Sequence, residues 1–179
     1  MKMYRCRICG ETYLGSERPS HCPFCGAHPE YIVDTTEYPE DINDVDVTEV
    51  ERNDLIQAVQ LERGNARFYL GMSKHKSDNQ KLASAYKRLG KVEAEHCELF
   101  CKLARVDVPE DLLIAEEVSL DWCANIEESI SREQRASRFY AEVVERATNE
   151  RIKEVFSAVS AVEADHIELD GIAKVVAGC

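Results

Sequence analysis

No apolar run in the 179 residues approaches the roughly 18 needed to span a membrane. The opening stretch, MKMYRCRICG, has no apolar segment of the kind that begins a signal peptide. Basic residues are in deficit: 22 Lys and Arg stand against 34 Asp and Glu, for a net charge of −12. A surface of that sign repels nucleic-acid phosphates and anionic lipid alike. The expectation is a cytoplasmic protein with no nucleic-acid and no membrane partner. Glycine and proline are also sparse, at eight and five, and residues 1–30 hold three of each. That first stretch is nearly neutral, with Lys2, Arg5, Arg7 and Arg18 against Glu11, Glu17 and Glu30. The acidic excess therefore falls on the rest of the chain.

Eight cysteines are present. Four of them, Cys6, Cys9, Cys22 and Cys25, form two C-x-x-C-G motifs, CRICG and CPFCG. In a reducing compartment such pairs are more often metal ligands than disulfides. Two knuckles of this kind wrap one ion in a tetrahedral sulfur cage, and a glycine after each second cysteine permits the positive φ that such turns need. Thiolate ligation by itself does not separate iron from zinc. Cys97 and Cys101, at i and i+4, read as small buried hydrophobes. Cys123 and Cys179 receive no role, and His21 and His28, flanking the second knuckle, read as surface residues.

Residues 31–47, YIVDTTEYPEDINDVDV, are acidic and aperiodic and read as a linker between a domain at 1–36 and a second at 48–179. TEVE, Thr48 to Glu51, is a capping box. Helices are predicted over about 49–75, 79–104, 120–147 and 150–177, with Ser77, Asp78 and Asn79 breaking the first and recapping the second. The connection around Pro109 is long and the other two are short. Short, long, short means two antiparallel pairs joined by a crossover, the ferritin-like topology of a mainly α chain.

The second pair repeats the first. RFY at Arg67–Tyr69 recurs at Arg138–Tyr140, and EAEH at Glu93–His96 recurs as EADH at Glu163–His166. Each half supplies a lone Glu, Glu62 or Glu133, and a Glu-x-x-His whose i and i+3 side chains share a helix face. Leu55, Val59, Ala66 and Tyr69 flank Glu62, and Leu89, Phe100 and Leu103 flank Glu93, so the acids point into the core. Four buried carboxylates without cations carry a heavy desolvation cost. Two divalent ions balance their charge, and oxygen and nitrogen ligands suit iron or manganese. A Glu from each of two helices plus Glu-x-x-His from the other two is a di-iron carboxylate pattern. Glu93 and Glu163 are assigned as bridges, and Glu62, His96, Glu133 and His166 as terminal ligands. Fusion to such a centre favours iron in the cysteine site, because iron passes electrons and zinc does not. Tyr69 and Tyr140, each seven residues after a lone Glu, are expected to hold ligand carboxylates.

With both knuckles, both lone Glu residues and both Glu-x-x-His pairs present, the chain resembles the rubrerythrins over nearly its whole length. The rubredoxin-like module precedes the bundle, an order similar to the reverse rubrerythrins. The resemblance implies a cytosolic homodimer that reduces hydrogen peroxide to water. Electrons would come from a reduced rubredoxin or a nicotinamide-dependent reductase and pass through the four-cysteine iron to the di-iron centre. The linker is long enough, at up to roughly 55 Å extended, for each module to dock head-to-tail on its neighbour. One position departs from the family. Rubrerythrins generally carry a further carboxylate three residues after the lone Glu of the third helix. Here that residue is Ala136, and its repeat counterpart is Asn65. The remaining four-Glu, two-His set is closer to a bacterioferritin ferroxidase centre. Oxygen reduction, iron handling, and iron or redox sensing therefore stand as alternatives.

Overall fold

The computed structural model describes residues 1–74 and 79–179. Among the described residues, four α-helices follow a small three-stranded sheet: α1 (Glu49–Ser73), α2 (Gln80–Ala104), α3 (Trp122–Arg146) and α4 (Glu150–Ala177). Their N-termini are capped by side chains that accept orphan backbone N–H groups. Thr48 and Glu51 form the reciprocal capping box on α1. Asn79, Asp121 and Asn149 cap α2, α3 and α4. The left-handed Gly178, φ +83°, ends α4. The predicted break at Ser77 and Asp78, and the predicted last residue of the first helix, His75, lie outside the described residues.

Packing is mainly α1 on α2 and α3 on α4. The long connection runs back over α1, where Asp111 accepts from Arg63 and Arg67 and the Glu116 N–H donates to the Arg67 carbonyl. The apolar residues that flank the acids in sequence, Leu55, Val59, Ala66, Leu89, Phe100 and Leu103, are all buried. Among the described residues, no helix is long and apolar enough to cross a membrane.

The N-terminal sheet has the order β2-β1-β3, with β1 (Lys2–Cys6), β2 (Thr12–Gly15) and β3 (Ile32–Asp34), all antiparallel. Here the structure corrects the reading of residues 31–47 as a linker. Ile32–Asp34 pairs with β1, a 3-10 turn follows at Thr35–Glu37, and Tyr38 is buried under the Arg5 guanidinium. A strand of three residues is too short to display alternation, which is why the sequence pattern misses it. The remaining segment lies against the bundle end. Asn43 accepts from Arg151, Asp44 pairs with Arg105, and the Asp46 carbonyl accepts from Asn149.

A second correction concerns Cys123 and Cys179, which the sequence left without a role. They are joined in a disulfide that ties the C-terminus to the start of α3. Pairing across 56 residues is not legible from spacing. Cys97 and Cys101 are free and buried, and burial raises both thiols, which keeps them protonated.

Candidate metal centres

The four knuckle cysteines converge within the module. Cys6 Sγ lies 3.7 Å from Cys25 Sγ, and Cys9 Sγ lies 3.8 Å from Cys22 Sγ. A tetrahedral ion with metal–sulfur bonds of about 2.3 Å holds its sulfurs roughly 3.8 Å apart, so the cage has the right size. Each knuckle closes on a backbone hydrogen bond, Gly10 N–H to Cys6 O and Gly26 N–H to Cys22 O, both 2.9 Å. Both glycines have positive φ, +89° and +75°, as the motif predicts. Hydrogen bonds among the sulfurs drive Cys9 and Cys25 up and Cys6 and Cys22 down. Four buried sulfurs facing one another at these distances have the arrangement that a cation would take over.

The second cluster sits inside the bundle, with one acid each from α1 and α3 and a Glu-x-x-His pair each from α2 and α4. Glu62, Glu93, His96 and Glu163 each bring one ligand atom within 4.8 Å of the others, and so do Glu93, Glu133, Glu163 and His166. Glu93 and Glu163 belong to both sets and so stand between them. All four carboxylates and His96 are fully buried, and His166 nearly so. The antiparallel course of α2 and α4 produces this symmetry, since Glu93 faces His166 at 3.0 Å and His96 faces Glu163 at 3.4 Å.

Electrostatically the cluster concentrates like charge away from water. Burial, and then the charges of Glu163 and Glu93, push Glu62 and Glu133 well above the usual carboxylate range. Burial opposes charge on His96 and His166, yet hydrogen bonds and attraction to these acids drive both imidazoles up. Glu62 Oε2, both oxygens of Glu93, His96 Nδ1, Glu133 Oε2 and Glu163 Oε1 are buried with no hydrogen-bond partner among the described residues. Such orphans are rare in a folded protein and call for an explanation. Two divalent ions would supply one, as Lewis-acid partners for these six oxygen and nitrogen atoms and as charge for four acids. The cluster and the cysteine cage are both compatible with iron.

Surrounding residues fix these groups. Tyr69 donates to Glu133, and Tyr140 donates to Glu62. Each tyrosine thus serves the acid of the opposite half. Residues seven apart on one helix are separated by two turns, whereas antiparallel α1 and α3 bring the crossed pairs together. Ala136 is wholly buried one turn from Glu133.

Three features escape sequence reasoning. His96 Nε2 donates to the Cys25 carbonyl at 2.8 Å, joining the cluster directly to the cysteine cage and leaving Nδ1 facing the carboxylates. Asp170, wholly buried, accepts from Tyr86 at 2.7 Å and from Ser129 at 2.6 Å. Ser129 Oγ is also 3.0 Å from the Tyr69 hydroxyl, so a polar chain runs from Asp170 to Glu133. Burial pushes the Asp170 carboxyl up to about 6. Its signal was available in the repeat, where the matching position is Phe100. Finally, His28 is half-buried rather than simply exposed, at 2.8 Å from Asp165 of α4.

Comparison with known proteins agrees with this arrangement. The family model described as "Rubrerythrin, rubredoxin-like domain" matches residues 4–33. Over 145 residues the chain is 26% identical to reverse rubrerythrin-1 of Clostridium acetobutylicum, covering 76% of this chain and 75% of that protein. No solved structure matches. The two likenesses place a rubredoxin-like domain at the N-terminus and make most of the chain similar to a reverse rubrerythrin.

Proposed function

We propose that this chain, built in the reverse rubrerythrin order, is a non-haem di-iron oxidoreductase that reduces hydrogen peroxide to water. When bound, iron at the four cysteines supplies one-electron entry, and an iron pair at Glu62, Glu93, His96, Glu133, Glu163 and His166 supplies the two electrons that peroxide consumes. Reduced rubredoxin or a nicotinamide-dependent reductase is the proposed donor, in the cytoplasm, with the chain as a homodimer.

The observation that carries this reading is the His96 bridge. One imidazole spans the two centres, with Nε2–H on the Cys25 carbonyl and Nδ1 among the carboxylates. An iron-handling protein has no need of a one-residue link to a sulfur cage, whereas a reductase does. Tyr69 and Tyr140 keep Glu133 and Glu62 aimed inward. Peroxide reduction also consumes two protons, and a protonated Asp170 can donate to Ser129, Ser129 to Tyr69, and Tyr69 to Glu133. Ala136 favours a second reading, ferroxidase or oxygen-reducing chemistry, because six protein ligands remain where rubrerythrins have one more carboxylate.

Peroxide consumption in steady state, with reduced rubredoxin as donor, separates the readings. The wild type is expected to turn over many times. Cys22→Ser is expected to lose donor-driven turnover and the visible thiolate-to-iron absorption, yet to react once with peroxide after chemical reduction. Glu93→Ala is expected to do the reverse. Donor-driven turnover by Cys22→Ser at the wild-type rate refutes entry through the cage. Oxidation of added Fe²⁺ without peroxide turnover selects the second reading.

A further inference from the structure

The seam between the module and α4 holds metal-ligating side chains that neither centre uses. His21 directly precedes Cys22 and His28 lies three residues after Cys25, so the second knuckle carries both imidazoles. Their rings meet edge to face, with centroids 5.1 Å apart. Asp165 reaches them from α4, with Oδ2 2.8 Å from His28 Nε2 and 3.7 Å from His21 Nε2. One ligand atom from each of the three lies within 4.8 Å of the other two. Fastening the module to the bundle requires only one imidazole on that carboxylate. A second, converging on the same oxygen, has the form of a chelate.

The surroundings give this chelate a direction. His21, Gly26, Val162, Asp165, His166 and Glu168 line a shallow open pocket of about 370 Å³. His166 belongs to the buried cluster, and its 6% exposure is the point where that cluster meets the pocket. Asp165 is its immediate neighbour in sequence, and Glu168 adds a second carboxylate at the rim. Two imidazoles and a carboxylate with solvent on the open side suit a divalent first-row ion held in exchangeable fashion. The chain's net charge of −12 raises the local concentration of such cations.

We propose that His21, His28 and Asp165 form a third, exchangeable site for a divalent transition-metal ion, from which ions enter the bundle past His166. The entry role rests on the bundle being a metal centre, as proposed above; the binding itself does not. The first test is calorimetric titration of the iron-loaded full chain with Zn²⁺, with retained iron checked by elemental analysis. One Zn²⁺ per chain is expected to bind. Affinity is expected to fall at least thirtyfold in the His21→Ala/His28→Ala double variant and in Asp165→Asn. The asparagine keeps an oxygen that accepts from His28, so it leaves the seam closed while removing the charged ligand. No bound Zn²⁺ in the wild type, or equal affinity in the variants, overturns the site. The second test is stopped-flow uptake of Fe²⁺ by chains whose bundle has been emptied while the cysteine site keeps its iron. Both variants are expected to load at least fivefold more slowly and to the same final content. Unchanged loading rates in variants that have lost Zn²⁺ binding overturn the entry role. A bundle that takes up no iron in any of these proteins defeats the function proposed above instead, and the Zn²⁺ titration still decides the third site.

Discussion

Glu51 serves two helix ends at once. Its Oε2 accepts from the Thr48 N–H at 2.8 Å, closing the capping box on α1. Its Oε1 accepts from the N–H groups of Thr148 and Asn149, each at 2.8 Å, at the entrance to α4. Burial alone would raise this carboxyl, but the hydrogen bonds from Thr48, Asn149 and Thr148 prevail and hold it at about 2, against an ordinary 4.5. A depressed folded-state value stabilises the protein fully above the unfolded value and loses that contribution as pH falls from about 4.5 toward 2. At about 1.4 kcal/mol per pKa unit the contribution is of order 3 kcal/mol at neutral pH. Glu51→Gln is therefore expected to lower stability at pH 7 by roughly 2–3 kcal/mol, and at pH 3 by less than half as much. Chemical denaturation of both proteins at the two pH values checks this, and a pH-independent difference contradicts it.

At the scale of elements, the proposed electron path depends on how closely the second knuckle approaches α4. Gly26 has φ +75°, and a Cβ there would lie 2.7 Å from Val162 Cγ1. The preceding residue supplies the carbonyl that receives the His96 N–H. Around this contact the module is fastened by Arg151, which donates to the Arg7 carbonyl at 2.6 Å, and by the Arg7–Glu154 pair at 3.0 Å. Gly26→Ala is expected to cost about 1–2 kcal/mol for the left-handed backbone alone, and to push the knuckle off the helix. Donor-driven turnover is expected to fall several-fold, while oxidation of chemically reduced protein by peroxide keeps its rate. Val162→Ala in the Gly26→Ala background frees the space but not the φ, so it is expected to restore turnover more than stability. Turnover that tracks stability alone would show the seam to be merely structural.

For the whole molecule, the two clusters predict metal content and its consequence. Chains produced with adequate iron are expected to hold three iron atoms each, one among sulfurs and two among oxygen and nitrogen. Removing the bundle ions leaves four acids and two imidazoles facing one another without cations, a repulsive and partly unsatisfied interior. Ion release is therefore expected to lower the Tm by at least roughly 5 °C, since about 1 kcal/mol is worth 2–4 °C in a chain of this length. Elemental analysis after anaerobic reconstitution and parallel melting curves check both statements. One iron per chain, or melting indifferent to its removal, contradicts them.

The candidate ligands, their spacing and the four helices were legible in the sequence because each depends on local periodicity. Glu93 and His96 share a face at i and i+3 whatever packs against them, and the knuckle glycines declare a turn that only positive φ completes. Duplication added a check that a single motif lacks, since Glu62 and Glu133 stand at matching positions. What the tertiary structure alone decided is every relation between elements. Which acid each tyrosine holds follows from the antiparallel crossing of α1 and α3. The three-residue strand β3 exists only because β1 is there to pair with it. The Cys123–Cys179 bond, the His96 bridge to the Cys25 carbonyl, and the meeting of His21 and His28 with Asp165 join residues far apart in the chain. No local pattern encodes such contacts, because they arise when apolar faces pack together and bring along the polar groups attached to them.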